Sequence, residues 1–266
     1  MIFMFQILTK PSFLPYTGII KVFYTNKERA FIMKIIKKYF FGLTGNQLKI
    51  FALIAMTCDH IGYQIFPQYK ILHLIGRLAF PIFAYMIAEG AKYTKNRLRY
   101  FLQMFGLGVL CQAVYFFAMN SLYQCILITF SFSIILIYTL DHAIKKNNFD
   151  SWILFILVFL VVFFLAEVLP LLLTNTDYTV DYGIWGILTP VFVYIGSKKI
   201  LKLLLAAIPL TFLAITFAGY QWISFGALLL LALYNGKRGK HKMKNLFYIY
   251  YPLHLVVIYG ISLIVS

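Results

Sequence analysis

Long apolar runs, separated by short polar and basic links, occupy the chain from residue 47 onward. We read nine such runs of roughly 15–23 residues, and about 20 apolar residues are enough for a helix to cross a bilayer. They fall at approximately residues 47–66, 71–91, 99–118, 122–141, 151–173, 182–197, 200–217, 219–234 and 246–265. The shorter segments of an outer-membrane barrel, in which apolar and polar residues alternate, are absent. The pattern predicts an all-α, polytopic transmembrane bundle with about nine spans.

The composition supports this prediction. Of the 266 residues, 62% are hydrophobic and 12% are charged, whereas soluble domains carry about 45–50% apolar and about 25% charged residues. So much apolar surface excludes a disordered chain. It also disfavours a soluble enzyme, because a single core cannot enclose it.

Basic residues are concentrated in the links between the apolar runs. The formal net charge is +16, from 24 Lys and Arg against 8 Asp and Glu. With the N-terminus in the cytoplasm, four basic links fall on the inner side, as the positive-inside rule expects. They are Lys92–Arg99, Lys145–Lys146, Lys198–Lys202 and Lys237–Lys244. We therefore interpret the charge as a topology signal and not as a surface that binds nucleic acid.

Residues 1–42 differ from the rest of the chain. Their apolar runs are too short to span a bilayer, and a basic stretch, Lys27–Lys38, follows them. We predict an interfacial extension over residues 1–42 on the cytoplasmic face and a transmembrane domain over residues 43–266. In an alternative interpretation, translation starts at Met33 and residues 1–32 are an extension of the gene model, which the intact mass of the native protein would test.

Polar residues inside the apolar runs are candidates for function, because charge in hydrocarbon is costly. They are Asp59, His60, Arg77, Glu89, Glu167 and His254. Asp59 and Arg77 lie at comparable depth in two runs that a short hairpin joins. We expect them to form an ion pair that leaves His60 free. A purely structural role of this pair in helix packing is the alternative.

The histidines suit acid–base chemistry. A neutral imidazole has an unperturbed pKa of about 6.5 and serves as a general base near neutral pH. We interpret His60 as the candidate base, against the alternative of a histidine that only satisfies packing. His254 lies at mid-depth in the last run and would meet the Asp59–His60 cluster if the bundle closes; packing alone explains it equally well.

The other polar residues favour structural roles. Lys49 and Glu89 lie near the ends of their runs, where long side chains reach the interface. Glu167 needs a proton or a partner at its depth. Asp181 precedes the sixth run, where it would cap the helix, and Asp141 is expected at a solvated helix end.

The cysteines suggest no metal site. Cys58, Cys111 and Cys125 are scattered through apolar runs without CxxC or Cys/His spacing. Neither a disulfide framework nor a bound metal is predicted. P-loop and GxGxxG motifs are also absent from any meaningful context.

Four stretches of the chain resemble the TraX family, integral membrane proteins of conjugative systems with many relatives in bacteria. The stretches are LTGNQLKIFALIAMTCDHIG (43–62), GRLAFPIFAYMIAEGAKYTKNR (76–97), DYGIWGIL (181–188) and YIYYPLHLVVIY (248–259). The combination of Asp-His-Ile-Gly with the later Gly-Arg-Leu-Ala-Phe-Pro is specific. Together the stretches are spread over nearly everything after residue 42.

The resemblance implies an acetyltransferase. The namesake of the family acetylates the N-terminus of pilin, and the wider group of transmembrane acyltransferases uses an intramembrane His and often cytoplasmic acetyl-CoA. By this resemblance His60 is the base, Asp59 and Arg77 orient it or stabilise an oxyanion, and His254 is a second candidate. The phosphates of acetyl-CoA would need cations at the cytoplasmic mouth. The candidates are Lys92, Lys95, Arg97 and Arg99, or else Lys198, Lys199 and Lys202, although topology alone also explains both clusters.

Two other functions fit the same residues. In a transporter or flippase, the ionisable groups would couple to protons or bind the transported substrate. In a non-catalytic scaffold, the ion pair would be structural. For an acetyltransferase, the sequence leaves a peptide, a glycan or a lipid head group open as the acceptor, and the expected location is the bacterial cytoplasmic (inner) membrane.

Overall fold

The computed structural model describes residues 42–240 and 243–265. The predicted interfacial extension lies outside the described residues except for Gly42, and Met33 lies outside them as well. Residues from Leu43 onward form one compact unit.

Helices build almost all of this unit. In chain order they are α1 (Gly45–Gln64), α2 (Lys70–Gly76), α3 (Ala79–Tyr93), α4 (Arg97–Met119), α5 (Ile126–Lys146), α6 (Phe149–Phe163), α7 (Leu169–Leu172), α8 (Gly183–Ile195), α9 (Lys199–Phe217), α10 (Gly226–Ala232) and α11 (Lys244–Val265). A π-helical turn, Phe164–Val168, joins α6 to α7, and a 3₁₀ helix, Gly219–Phe225, leads into α10. The described residues contain no named strand, and two isolated bridges join Leu43 to Tyr234 and Gln124 to Val180.

Each of the nine predicted apolar runs contains helical structure. Among the described residues, six helical runs are long and apolar enough to cross a membrane. They are Lys70–Tyr93, Arg97–Phe117, Ile126–Lys146, Phe149–Leu172, Lys199–Phe217 and Leu246–Ile264. The chain is therefore an all-α membrane protein, and nine crossings with a cytoplasmic N-terminus remain predictions.

The outer helices present apolar faces outward. Only 11% of the most apolar stretch of Phe149–Leu172 is buried, against 61% of that of Ile126–Lys146. Leu157 and Val161 of α6 are 55% and 58% exposed. Such a continuous apolar face is unfavourable in water, so it is the surface that meets lipid.

The core lies between α1, α3, α5 and α8, whose small and branched side chains are enclosed. Completely enclosed residues include Ala52, Ile82, Ala84, Ile134 and Ile187. The alanines among them let the helix backbones approach closely.

Local sequence explains where several elements begin and break. Thr44 and Gln47 form a reciprocal capping box that starts α1. In the Phe149–Leu172 run, Pro170 has no N–H to donate to the preceding turn, and the helix widens there into the π-helical turn. The 24-residue run Lys70–Tyr93 is interrupted between α2 and α3 at Arg77.

The fourth run starts later than predicted, at Ile126 instead of near residue 122. The preceding residues are engaged by the outer loop: the Gln124 amide donates to the carbonyl of Thr179, and the Asp181 amide donates to the carbonyl of Gln124. In addition, Ser121 Oγ donates to Asp177 Oδ2 over 2.5 Å. These contacts hold the segment in an extended conformation, so the helix begins only at Ile126.

Candidate functional site

Asp59 and Arg77 form the predicted ion pair. Arg77 Nη2 donates to Asp59 Oδ2 over 2.6 Å. The other carboxylate oxygen accepts from Nδ1 of His73 over 3.0 Å. His73 was not singled out from the sequence, although its spacing of four residues from Arg77 places both side chains on one face of the hairpin.

His60 is not free, contrary to the expectation. Its Nδ1 lies 2.8 Å from Nε2 of His254, and the two rings stack at 7° with their centroids 5.0 Å apart. His254 is buried, with 6% of its surface exposed. The closing of α11 on α1 therefore brings His254 to the Asp59–His60 cluster, the one of the two alternatives from the sequence in which His254 does more than pack.

A backbone carbonyl determines which nitrogen of each ring carries hydrogen. His254 Nδ1 lies 2.9 Å from the carbonyl oxygen of Tyr250. Because a carbonyl only accepts, His254 Nδ1 donates and His254 Nε2 is then the acceptor in the neutral ring. His60 Nδ1 must donate to it, which leaves His60 Nε2 with an unprotonated lone pair. No described residue hydrogen-bonds that nitrogen.

Further contacts hold α1 against α11. The hydroxyls of Thr57 and Tyr250 are 2.7 Å apart, and Lys49 Nζ lies 5.3 Å from the ring centroid of Phe247. The residue numbers of these pairs rise together along both helices, so α1 and α11 run in the same direction. Tyr250 thus supports the site twice, through its hydroxyl and through its carbonyl.

The second edge of Arg77 faces a different part of the fold. Its Nη1 donates to Oε1 of Gln221 over 3.4 Å, from the 3₁₀ helix before α10. The Asp181 carboxyl and the Tyr182 phenol also interact electrostatically with the guanidinium. Burial raises the pKa of the Asp181 carboxyl to about 6, against the opposing effects of the Tyr123 hydroxyl and of Arg77.

At the outer loop, the prediction for Asp181 is wrong, and the expectation that Glu167 needs a partner is confirmed. Asp181 does not cap α8, because the N-cap is Tyr182 in a left-handed conformation (φ 61°) without a side-chain cap. Glu167 takes that role from the π-helical turn: its Oε1 accepts from the amide of Ile184 over 2.7 Å. Glu167 therefore has its partner, at a helix N-terminus that favours negative charge.

Glu89 and Asp141 are not at solvated helix ends. Glu89 is 9% exposed and forms an ion pair with Lys202 of α9, which is 7% exposed. Asp141 is 8% exposed and accepts from Arg97, Lys145 and the hydroxyl of Tyr194. Both carboxylates are paired inside the bundle because cations from other helices reach them.

A cavity of about 570 Å³ lies between α1, α3, α4, α5 and α11. Its walls are mainly apolar and aromatic, with Leu53, Phe83, Met104 and Phe130 among the lining residues. Met56 and Tyr251 also line it, four and three residues before His60 and His254 on the same helices. The rings of Tyr251 and His254 pack edge to face, with their centroids 5.5 Å apart. One end of the cavity therefore comes within about one helical turn of the histidine pair.

The other end of the cavity is cationic. It is lined by the first turns of α1, the last turn of α3 and the segment after α10, and it carries Lys49 and Arg238. We name this the basic end. No described acidic side chain forms a salt bridge with either cation. Glu89 also lines the cavity, but Lys202 neutralises it.

The cations proposed from the sequence for phosphate binding do not line this cavity. Lys92, Lys95 and Arg99 are exposed around the same end, next to Thr94, which does line it. Arg97 is bonded to Asp141. Of the alternative cluster, Lys199 Nζ donates to the carbonyls of Ala232 and Tyr234, and Lys202 pairs with Glu89.

Comparison with known proteins finds one family and short matches to curated relatives. A family model described as TraX protein matches residues 44–262. An uncharacterized protein of Rickettsia prowazekii (strain Madrid E) is 50% identical over 38 residues, which are 14% of this chain and 15% of that protein. The probable fimbrial assembly protein FimC, serogroup H1, of Dichelobacter nodosus is 32% identical over 73 residues, 26% of this chain and 30% of that protein. The matched segments thus span less than a third of these curated relatives.

No solved structure matches the chain. The family match begins at the residue that caps α1 and ends near the end of α11. It contains every side chain of the histidine pair, the ion pair and the cavity wall. The chain therefore belongs to the TraX protein family.

Proposed function

We propose that this protein is an acetyltransferase of the bacterial cytoplasmic membrane, which moves an acetyl group from acetyl-CoA to an amine or hydroxyl acceptor. One observation carries the proposal: the hydrogen-bond chain from the Tyr250 carbonyl through His254 to His60. This chain leaves His60 Nε2 as a base. Arg77 and Asp59 act on the same imidazole through their charges, and the cavity comes close to it.

The cavity supports acetyl-CoA as the donor. Its volume of about 570 Å³ falls within the range of about 300–1,000 Å³ that is typical of small-molecule sites. The apolar walls suit the acetyl-pantetheine arm, and Lys49 and Arg238 offer positive charge to the CoA phosphates. Lys92, Lys95 and Arg99 would extend that positive surface outside the cavity.

The reaction that we propose needs a base and a stabilised oxyanion. The amine or hydroxyl attacks the thioester carbon, while His60 Nε2 takes the proton that the nucleophile loses. The carbonyl π electrons move onto oxygen, and Arg77 stabilises the negative charge. When the C–S bond breaks, CoA leaves as the thiolate and takes the proton from His60. The products are the acetylated acceptor and CoA, and the imidazole is neutral again.

His254 acts in this scheme as a positioning residue. By accepting from His60 Nδ1, it holds one tautomer and stabilises the imidazolium that forms during the transfer. The Tyr250 carbonyl holds His254 in turn. The logic is that of a Ser-His-Asp triad, in which the third member orients the imidazole, although a neutral His254 stabilises the cation less than a carboxylate would.

The acceptor belongs to one of three classes: a pilin-like peptide, a glycan or a lipid head group. A peptide amine is favoured by one relative, which carries the name of a probable fimbrial assembly protein. The proposed base serves all three, because each presents an amine or a hydroxyl that must lose a proton.

The test uses the full chain, purified in nanodiscs, with radiolabelled acetyl-CoA. We would measure binding of acetyl-CoA, release of CoA thiol, and transfer to a pilin-like peptide, an amino sugar and phosphatidylethanolamine. We expect saturable binding, and we expect His60→Ala to lower acetyl release or transfer by about 10²–10⁴-fold. His142→Ala is the matched control, because His142 is exposed on α5 and lies outside the site.

Two outcomes would overturn the proposal. A folded protein that binds no acetyl-CoA, or a His60→Ala variant with undiminished turnover, is incompatible with it. Accumulation of an unmodified substrate in proteoliposomes would instead indicate a transporter. Intact partner assembly after neutral replacement of both Asp59 and Arg77, together with a lack of turnover in the wild type, would indicate a scaffold.

A further inference from the structure

The 3₁₀ helix Gly219–Phe225 places two polar side chains in the interior. Gln221 is 3% exposed and Ser224 is completely buried. Within the part of the chain that the structure describes, Gln221 Nε2 and Ser224 Oγ have no hydrogen-bond partner. Buried polar groups are almost always bonded, because an unsatisfied donor loses its hydration without compensation. The Gln221 amide, which touches Arg77, therefore points to a ligand.

The contact with Arg77 determines the orientation of this amide. A guanidinium has donors and no acceptor, so the Gln221 oxygen must face it, as the 3.4 Å contact from Nη1 to Oε1 shows. The NH₂ group then projects from the opposite corner of the same amide. Arg77 and Gln221 together present neighbouring donors from two separate elements.

The charge balance of Arg77 explains why a second donor matters. Asp59 accepts from Arg77 Nη2 over 2.6 Å and neutralises much of its charge. His73 shares that carboxylate, but it faces the other oxygen. A guanidinium that is held in this way stabilises an oxyanion less well, and a neutral amide donor beside it adds a hydrogen bond without requiring another counter-ion.

We propose that Gln221 Nε2 is a second donor to the carbonyl oxygen of the transferred acetyl group, next to Arg77. This inference rests on the proposed acetyl transfer. As the nucleophile adds to the thioester carbon, the π electron pair moves onto oxygen and the Gln221 N–H bonds the resulting oxyanion. When the C–S bond breaks, that pair reforms the carbonyl, the thiolate takes the proton from His60, and Gln221 neither gains nor loses a proton.

Two substitutions of Gln221 distinguish a hydrogen bond donated to the oxyanion from a role that only positions Arg77. Gln221→Met keeps the volume and removes all polar atoms. Gln221→Glu keeps the oxygen that Arg77 contacts and removes the N–H donors. If Gln221 only positions Arg77, the Glu variant retains activity. If Gln221 donates to the oxyanion, both variants lose it.

The matched control is Gln112→Met. Gln112 lies on α4, its Nε2 donates to the carbonyl of Ser121, and its Oε1 is buried without a partner. It is thus another glutamine with one unsatisfied amide atom, remote from Arg77 in the hydrogen-bond network. We expect this variant to keep wild-type turnover.

The measurements are the kcat and KM of acetyl release or transfer, with CoA alone as the binding probe and melting temperature as the test of folding. We expect both Gln221 variants to lower kcat and kcat/KM equally, by about 10²–10³-fold, with unchanged CoA affinity. Wild-type kcat in folded Gln221→Met, or in folded Gln221→Glu, would overturn the inference while the His60 result still supports the transferase. A wild type without turnover would overturn both. If Gln221→Met does not fold, the Glu variant decides.

Discussion

Gly76 of α2 lies directly against the side chain of Asp59 on α1. A methyl group at residue 76 would overlap Cβ and Cγ of Asp59. The two helices therefore cross at the residue before Arg77, and the absence of a side chain at Gly76 is what permits the 2.6 Å contact between Asp59 and Arg77. The close approach of the two helix backbones at Gly76 thus determines the distance between Asp59 and Arg77.

Gly76→Ala is expected to disable the site while the chain still folds. The methyl group must push Asp59 aside, and overpacking of this kind costs about 1–3 kcal/mol. A displacement near 1 Å in a catalytic group lowers turnover by as much as about 10²-fold. Gly106→Ala is the control, because nothing lies within 4 Å of the added Cβ. Equal turnover in the two variants would show that Asp59 needs no fixed position.

The two histidines are expected to respond differently to substitution. His254→Gln keeps an oxygen that accepts from His60 Nδ1, so we expect a loss of about tenfold in kcat, whereas His254→Phe removes the acceptor and should lose about 10² or more. His60→Ala should be the most damaging. Steady-state kinetics over pH 6–8 checks the order, and an activity of His254→Phe above that of His254→Gln would contradict the tautomer chain.

Arg77→Lys is expected to lower turnover although it retains the positive charge. A lysine ammonium is a point charge and cannot bond Asp59 and Gln221 through two edges of a planar group. We expect a loss of about 10²-fold in kcat with nearly unchanged acetyl-CoA binding, measured on the purified protein. The double variant Asp59→Leu with Arg77→Leu should fold and be inactive. Full activity in either variant would show that the pair only fixes helix packing.

Asp181 makes stability depend on pH with a defined sign. Burial raises the pKa of this loop carboxyl from an ordinary 3.8 to about 6, so the folded state holds the proton more tightly than the unfolded state does. Its favourable contribution is complete below about pH 4 and is lost as pH rises through about 6, on the order of 3 kcal/mol. Melting temperatures of wild type and Asp181→Asn between pH 4 and 7.5 check this.

The two melting curves should therefore diverge in one direction. From pH 4 to 7, the wild type should lose stability relative to Asp181→Asn, which has no titrating group at this position. Parallel pH profiles would show that Asp181 is solvated in the folded protein.

The ion pair between Glu89 and Lys202 should matter for folding. Both side chains are buried, and removal of one partner leaves an uncompensated charge, which typically costs about 3–5 kcal/mol. We expect Lys202→Met to lower the melting temperature strongly, and Glu89→Leu combined with Lys202→Met to recover most of the loss. Lys199→Met is the control, because among the described residues Lys199 Nζ donates only to the backbone carbonyls of Ala232 and Tyr234. A milder effect of Lys202→Met than of Lys199→Met would contradict the buried pair.

Part of the site follows from local sequence. Asp59 and Arg77 lie on two runs that a short hairpin joins, so their depth and proximity are consequences of chain connectivity. The place of His73 also follows from local sequence, since it lies one turn before Arg77 on the same face. The prediction that Asp181 caps α8 was wrong because the chain enters α8 through Tyr182 in a left-handed conformation. The carboxylate at the start of α8 comes instead from Glu167, on a different run.

Hydropathy and charge determined that this is an all-α membrane protein, and they located the helical runs, because each run must satisfy its own backbone in lipid. The tertiary structure alone decided which faces meet. His60 and His254 are 194 positions apart, Gln221 reaches Arg77 across 144, and Lys202 reaches Glu89 across 113. An apolar helix carries no periodic signal for its rotation or its neighbours when lipid and core are equally apolar. Close packing at small residues such as Gly76 supplies that information only in the folded bundle.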